Sequence, residues 1–279
     1  MLSSYLRSIL SIFAASLLWM ACSKDNNTTP VLPDPLKDQQ LIASGYAIGA
    51  ATKVEVWAAQ LPTTGYNPLT VVLYDSVSQQ KTTNAVVQLN PLMDMKMNGM
   101  THQHAAPKED PQIAASGLLE GAVVFTMPTS ETGTWQLAIA VDNKQNQHSG
   151  TALLPVTVKQ NPENNVKVIT TTTDKTTLII TWIMPPKLVV GANDFICTVH
   201  RKQDGMHFPA DSSYKLTITP EMPSMGHGSP NNIDPVHTGK GHYKGQVNFT
   251  MTGLWRINMS LFKEGAPVTT GLFFETTLP

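Results

Sequence analysis

Gln246-Val247-Asn248-Phe249-Thr250-Met251 decides the fold class, because its polar and apolar residues alternate without a break. Successive side chains leave a strand on opposite faces, so Val247, Phe249 and Met251 share one face and Gln246, Asn248 and Thr250 the other. Such alternation marks a half-buried strand. Similar short runs, rich in Val, Ile, Thr and aromatic residues, recur at 53–57, 69–74, 85–89, 122–127, 135–141 and 153–158. A second series follows at 178–183, 195–201, 214–219, 246–251, 254–262 and 272–277. Pro, Gly and Asn punctuate them, and no amphipathic helix longer than two turns intervenes. The expected fold class is all-β, with two tandem β-sandwich domains. Asn161-Pro162-Glu163-Asn164-Asn165 breaks the pattern and reads as the linker, which sets the domains at 41–160 and 161–279. Each is large enough to bury a core of its own.

The chain ahead of these domains reads as a targeting segment followed by a spacer. Arg7 precedes a short apolar run at 9–20, and Ala21-Cys22 then supplies a small residue followed by cysteine. That run is too short for a comfortable transmembrane helix. Residues 1–21 resemble a bacterial lipoprotein signal peptide, with Trp19 where an aliphatic residue is usual and Cys22 as the lipidation site. Ser23 stands where an Asp would favour inner-membrane retention, so the expectation is an outer-membrane lipoprotein, facing the periplasm or the exterior. Residues 22–40, with Pro30, Pro33 and Pro35, read as a flexible tether. With Cys22 lipidated, only Cys197 remains, and no intramolecular disulfide is expected. Cys197 sits in a strand-like run and reads as a small buried apolar residue.

Composition excludes some function classes. A formal net charge of −1 and 14% charged residues do not suit nucleic-acid binding, which needs clustered Lys and Arg. No nucleophile elbow, His-Glu-x-x-His helix or phosphate loop occurs, so an enzyme is not expected.

The chemistry lies in a pattern that occurs twice. Met97-x-x-Met100-x-His102 returns as Met222-x-x-Met225-x-His227. With 13 Met and 8 His in the chain, chance would supply about 0.02 such matches. Phe125-Thr126-Met127 with Trp135 downstream likewise returns as Phe249-Thr250-Met251 with Trp255 downstream. A period this long means duplicated domains and not a short solenoid repeat. Thioether and imidazole are uncharged soft donors that suit Cu(I). The principal candidate donors are Met97, Met100, His102, His104, Met222, Met225 and His227. Met93 and Met95 would share a face with Met97 in an extended chain, while Met100, His102 and His104 follow in what reads as a flexible loop. Met127, His237, His242 and Met251 are weaker candidates by proximity. The competing account is plain packing: Met127 and Met251 as core filling, the loop Met residues as caps of the sandwich, and the His residues as turn hydrogen-bonders. Trp135 and Trp255 read as core aromatics, and His148, His200 and His207 stand isolated.

The second copy, with Gly241, Tyr243, Gly245, Val247, Phe249, Met251, Gly253 and Trp255 after its Met/His motif, resembles the YtkA-like/FixH domain over roughly 168–279. The first copy keeps Met97, Met100, His102, Gly121, Phe125, Met127, Gly133 and Trp135, with Leu119 where the second has Tyr243. The resemblance implies an immunoglobulin-like extracytoplasmic module, and a link to copper supply for haem-copper oxidases. FixH-type proteins are usually held by a transmembrane helix, where this chain is expected to use a lipid. The expected function is therefore a non-catalytic envelope lipoprotein that binds copper as Cu(I) for buffering or handover. Its expected partners are the membrane, through Cys22, and a copper donor or acceptor protein. The alternative is a metal-free pair of immunoglobulin-like interaction modules.

Overall fold

The computed structural model describes residues 34–279, so the expected signal peptide, Cys22 and most of the expected tether lie outside the described residues. The first ten strands are β1 (Gln40–Ala47), β2 (Thr52–Ala58), β3 (Gly65–Asp75), β4 (Lys81–Thr82), β5 (Ala85–Met97), β6 (Met100–Ala105), β7 (Lys108–Ile113), β8 (Leu119–Phe125), β9 (Gly133–Asn143) and β10 (His148–Val156). They form two antiparallel sheets, ordered β1-β2-β3-β8-β7 with β4 beside β3, and β10-β9-β5-β6. Residues from both sheets, among them Val56, Leu73, Leu89, Phe125, Trp135 and Ile139, close one apolar core between them.

Ten further strands follow: β11 (Val166–Thr170), β12 (Thr177–Ile183), β13 (Gly191–Arg201), β14 (Lys215–Met222), β15 (His227–Gly228), β16 (Ile233–Gly239), β17 (His242–Phe249), β18 (Gly253–Lys263), β19 (Ala266–Pro267) and β20 (Leu272–Leu278). Their sheets run β11-β12-β13-β17-β16 and β15-β14-β18-β19 with β20 beside β18, around a second core built on Trp182, Phe195, Phe249, Trp255 and Phe274. The chain is all-β, as two tandem antiparallel sandwiches. Cys197 is buried in the second core, and desolvation pushes its thiol well above the ordinary value, which suits an inert packing residue.

The two sandwiches match device by device. Asn67 and Asn193 each staple the turn before β3 and β13, accepting from Thr63 N and Val189 N. Asp110 and Asp234, each followed by Pro, accept from Leu89 N and Ile218 N and so tie one sheet to the other. Gly121 and Gly245 lie directly under these Asp-Pro crossings, where a Cβ would strike Pro111 N or Pro235 N. Trp135 Nε1 donates to Met127 O at 2.9 Å, and Trp255 Nε1 donates to Met251 O at 3.0 Å. Both tryptophans are buried, as expected of core aromatics.

Pro35–Pro279 forms one compact unit, because the outer face of β3-β8 packs on that of β11-β12-β13. Val124, Val166 and Ile179 are buried there, with Tyr66 and Phe208 at the margin. The stretch read as a linker is held in place: Asn161 N donates to Thr64 Oγ1, and Asn165 Nδ2 donates to Trp182 O. Leu36, within the stretch read as tether, is buried beside Val72 and Leu118.

Candidate functional site

Residues 100–104, expected to form a flexible loop, are instead β6, the partner of β5 in a long hairpin. Asn98-Gly99 makes the turn. Both residues have positive φ, 51° and 77°, as a two-residue type I′ turn requires, and Asn-Gly is the dipeptide best suited to it. That dipeptide was the overlooked sequence signal for β6. The register then pairs Met93 with His104, Met95 with His102 and Met97 with Met100. Directly paired residues of an antiparallel ladder lie on the same face, and alternate rungs repeat that face. All six sulfur and imidazole side chains of 93–104 therefore fall on one face of the hairpin. The other face carries the Asp94–Gln103 and Lys96–Thr101 rungs, with Gln103 Nε2 donating to Asp94 Oδ1 at 2.8 Å.

The three Met/His rungs differ in depth. Met93 is 2% exposed and belongs to the core, its methyl group seated on Gly133 and its backbone opposite Trp135. Met95 is half-buried against the same core. Beyond Gly133 the hairpin outruns β9, and Met97 and Met100 are 53% and 60% exposed. His102 is exposed, and no hydrogen bond or ion pair holds its ring among the described residues. His104 packs against Gly205 of the second sandwich, where a Cβ would stand 3.4 Å from Nδ1.

The second motif copy is built differently. Met222 pairs with His227 across a four-residue turn closed by Met225 N and Gly226 N, both donating to Met222 O. Met222 is buried in the core with its methyl group close to Gly253, as Met93 lies over Gly133. Pro220 registers with Ile257 as Pro91 does with Leu137. Met222 is thus the structural counterpart of Met93, and His227 that of His104. The expected equivalence of Met97 with Met222 and of His102 with His227 is corrected: the motif repeats in sequence but not in position. His227 turns its ring edge towards Trp255, with centroids 6.1 Å apart, and its Nδ1 lies 3.0 Å from Gly228 O. Met225, in the turn, is 58% exposed, whereas Met222 is buried.

The weaker candidates are dispersed. His242 Nε2 donates to Glu109 Oε1 at 2.6 Å, and Tyr66 Oη donates to the same oxygen at 2.9 Å. This makes His242 part of a clasp between the sandwiches. Burial works to raise the Glu109 carboxyl, but the bond and charge of His242, with the Tyr66 hydroxyl, hold it below the usual carboxylate range. Burial and the adjacent Glu109 push the Tyr66 phenol up. Nearby, desolvation depresses the buried His200 to about 4. His237 lies on β16 with its ring edge-on to Tyr243. Met127 and Met251 fall just beyond β8 and β17 and are each 37% exposed, so neither continues the apolar strand face expected of it.

Among the described residues, no three His, Cys, Asp or Glu side chains gather where they could hold a metal ion, so a metal here would depend on thioether sulfur. The first hairpin fits that requirement. Rungs Met95–His102 and Met97–Met100 set three thioethers and one imidazole on adjoining positions, with Cβ atoms across each rung about 5 Å apart. The second turn does not fit, because Met222 is buried and Met225 is in solvent.

Several solved structures are similar to the chain. The Escherichia coli adhesin FdeC is 13% identical, with a TM-score of 0.24, covering 81% of this chain; the chain spans 64% of the adhesin's length. The D00-D0 domain of intimin is 11% identical, with a TM-score of 0.24, over 81% of this chain and 99% of the other. A chimeric titin Z1Z2 tandem is 11% identical, with a TM-score of 0.18, over 78% of this chain and 93% of the other. No curated protein matches the chain. Residues 172–260, which run through most of the second sandwich and include Met222, Met225 and His227, match the YtkA-like family.

Proposed function

We propose that the chain is a non-catalytic envelope lipoprotein that takes up Cu(I) as cargo on the β5–β6 hairpin, to buffer it or hand it on. One observation carries the proposal: the register of β5 with β6 brings Met95, Met97, Met100 and His102 onto one accessible face. Thioether sulfur does not ionise, so these donors can leave water for a soft cation without stranding a buried charge. Exposure at the tip leaves room for an acceptor protein to exchange ligands with the bound ion. Membership of the first sandwich in the YtkA-like family, lipidation at Cys22 and an outer-membrane location belong to the same proposal. They are supported by the shared strand order of the two sandwiches and by the lipoprotein-like leader.

The test is competition for Cu(I) against a chromogenic chelator. A variant carrying Met95→Leu, Met97→Leu, Met100→Leu and His102→Ala is expected to lose at least tenfold in affinity, a change of about 1.4 kcal/mol or more. Met225→Leu with His227→Ala is expected to leave affinity unchanged. Full Cu(I) uptake by the fourfold variant would end the proposal. The exposed Met97 and Met100 would then be better explained as an adaptable apolar contact for another envelope protein.

A further inference from the structure

We infer that the second sandwich braces the strand leaving the donor hairpin, so that the junction between the sandwiches governs how readily the hairpin opens. The consequence for metal release rests on the copper-binding proposal above; the mechanical part stands on geometry alone. Among the described residues, β6 is an edge strand with β5 as its sole sheet neighbour. Its last residue turns its N–H outward, and Ala105 N donates to Gly205 O of the second sandwich at 2.9 Å. A few residues on, Glu109 receives the His242 and Tyr66 bonds. Between these two ties Ala106 and Pro107 are buried, and Pro107 O accepts from Val124 N. The segment 105–109 is therefore gripped at both ends.

Two further features mark the grip as a specific device. The position corresponding to Glu109 in the second sandwich is Ile233, one residue before Asp234-Pro235, and it is 57% exposed with no comparable clasp. The junction is also more polar than a core: Thr181, Thr198 and His200 are buried on the outer face of β12-β13, where His242 registers with Thr198. Polar junctions between domains open more readily than apolar cores. A loosened clasp would free the Ala105 end of β6 while β5 stayed fixed in its sheet by β9. The donors of β6, Met100 and His102, would then separate from Met95 and Met97 on β5.

The experiment measures amide exchange at Ala105 in the metal-free full chain, with β9 amides as the internal reference. Glu109→Ala is expected to speed Ala105 exchange by about tenfold or more while β9 amides hold their rates. His242→Gln, which keeps an N–H donor for Glu109, is expected to stay close to wild type. If Glu109→Ala also accelerates β9, His242→Leu, which removes the second sandwich's donor and leaves the Tyr66 bond, replaces it, with an expected acceleration of about threefold at Ala105. Unchanged Ala105 exchange in a folded Glu109→Ala or His242→Leu chain overturns the brace. Cu(I) release to a chelator is then timed in wild type and variant, with several-fold faster release expected in the variant. Equal release rates despite faster Ala105 exchange overturn the link to metal. No Cu(I) uptake by wild type ends the copper proposal, and the brace is then judged on the amide data alone.

Discussion

The two Met/His hairpins share a motif and differ in almost everything the motif does. In the first, a tight Asn-Gly turn extends the ladder past the end of the sandwich and carries Met97 and Met100 into solvent. In the second, Met222 ends its strand inside the core, and His227 covers Trp255. What both share is one rung, Met93–His104 or Met222–His227, a packing unit of thioether on glycine beside tryptophan. The additional rungs of the first hairpin are what could bind a ligand. A repeated spelling is thus weak evidence for a repeated site when the register around it has changed.

The largest test of this contrast is stability. Met222→Ala should cost about 2–5 kcal/mol in denaturant unfolding, as core truncations do, whereas Met97→Ala should stay within about 0.5 kcal/mol. Similar losses for both would erase the distinction. His200 is buried with its pKa lowered to about 4, so the unfolded chain takes up its proton first as pH falls. Its stabilising contribution is complete above pH about 6.5 and is lost on going down to about 4, a loss of up to about 3 kcal/mol. Glu109, held below the usual carboxylate range, adds a further loss as its own protonation begins at lower pH. His200→Leu should flatten the upper part of that profile. A profile unmoved by His200→Leu would remove this residue from the junction's energetics.

Smaller effects concern the tip. Gly99→Ala, at φ 77°, should destabilise the turn by about 1 kcal/mol and broaden hairpin amide signals while leaving the second sandwich unchanged. Mild peroxide followed by peptide mapping should oxidise Met97, Met100 and Met225 well before Met93 and Met222. Early oxidation of Met222 would mean that the second core is open at that end.

Much of the strand pattern was legible in the sequence because buried faces impose alternation. All twelve expected strands overlap observed ones. The missed strands, β1, β4, β6, β7, β11, β15, β16 and β19, are short or lie at sheet edges, where exposure relaxes the pattern. β6, Met-Thr-His-Gln-His-Ala, has too little apolar character to signal a strand by composition. The Asp110-Pro111 and Asp234-Pro235 pair was also visible, yet nothing in one dimension says that each carboxylate bridges two sheets. For the candidate site, the donor types were legible and their grouping was not.

By itself the sequence determined that the chain is all-β, that it is doubled, and that soft donors concentrate at 93–104. Alternation, composition and repetition are local properties, and each residue carries its share of them. Only the tertiary structure decided which donors share a face, that Met222 is core, and that His242 clasps Glu109 across the junction. Those outcomes depend on register and on the meeting of sheets far apart in the chain, and a one-residue slip in either would reverse which side chains are buried.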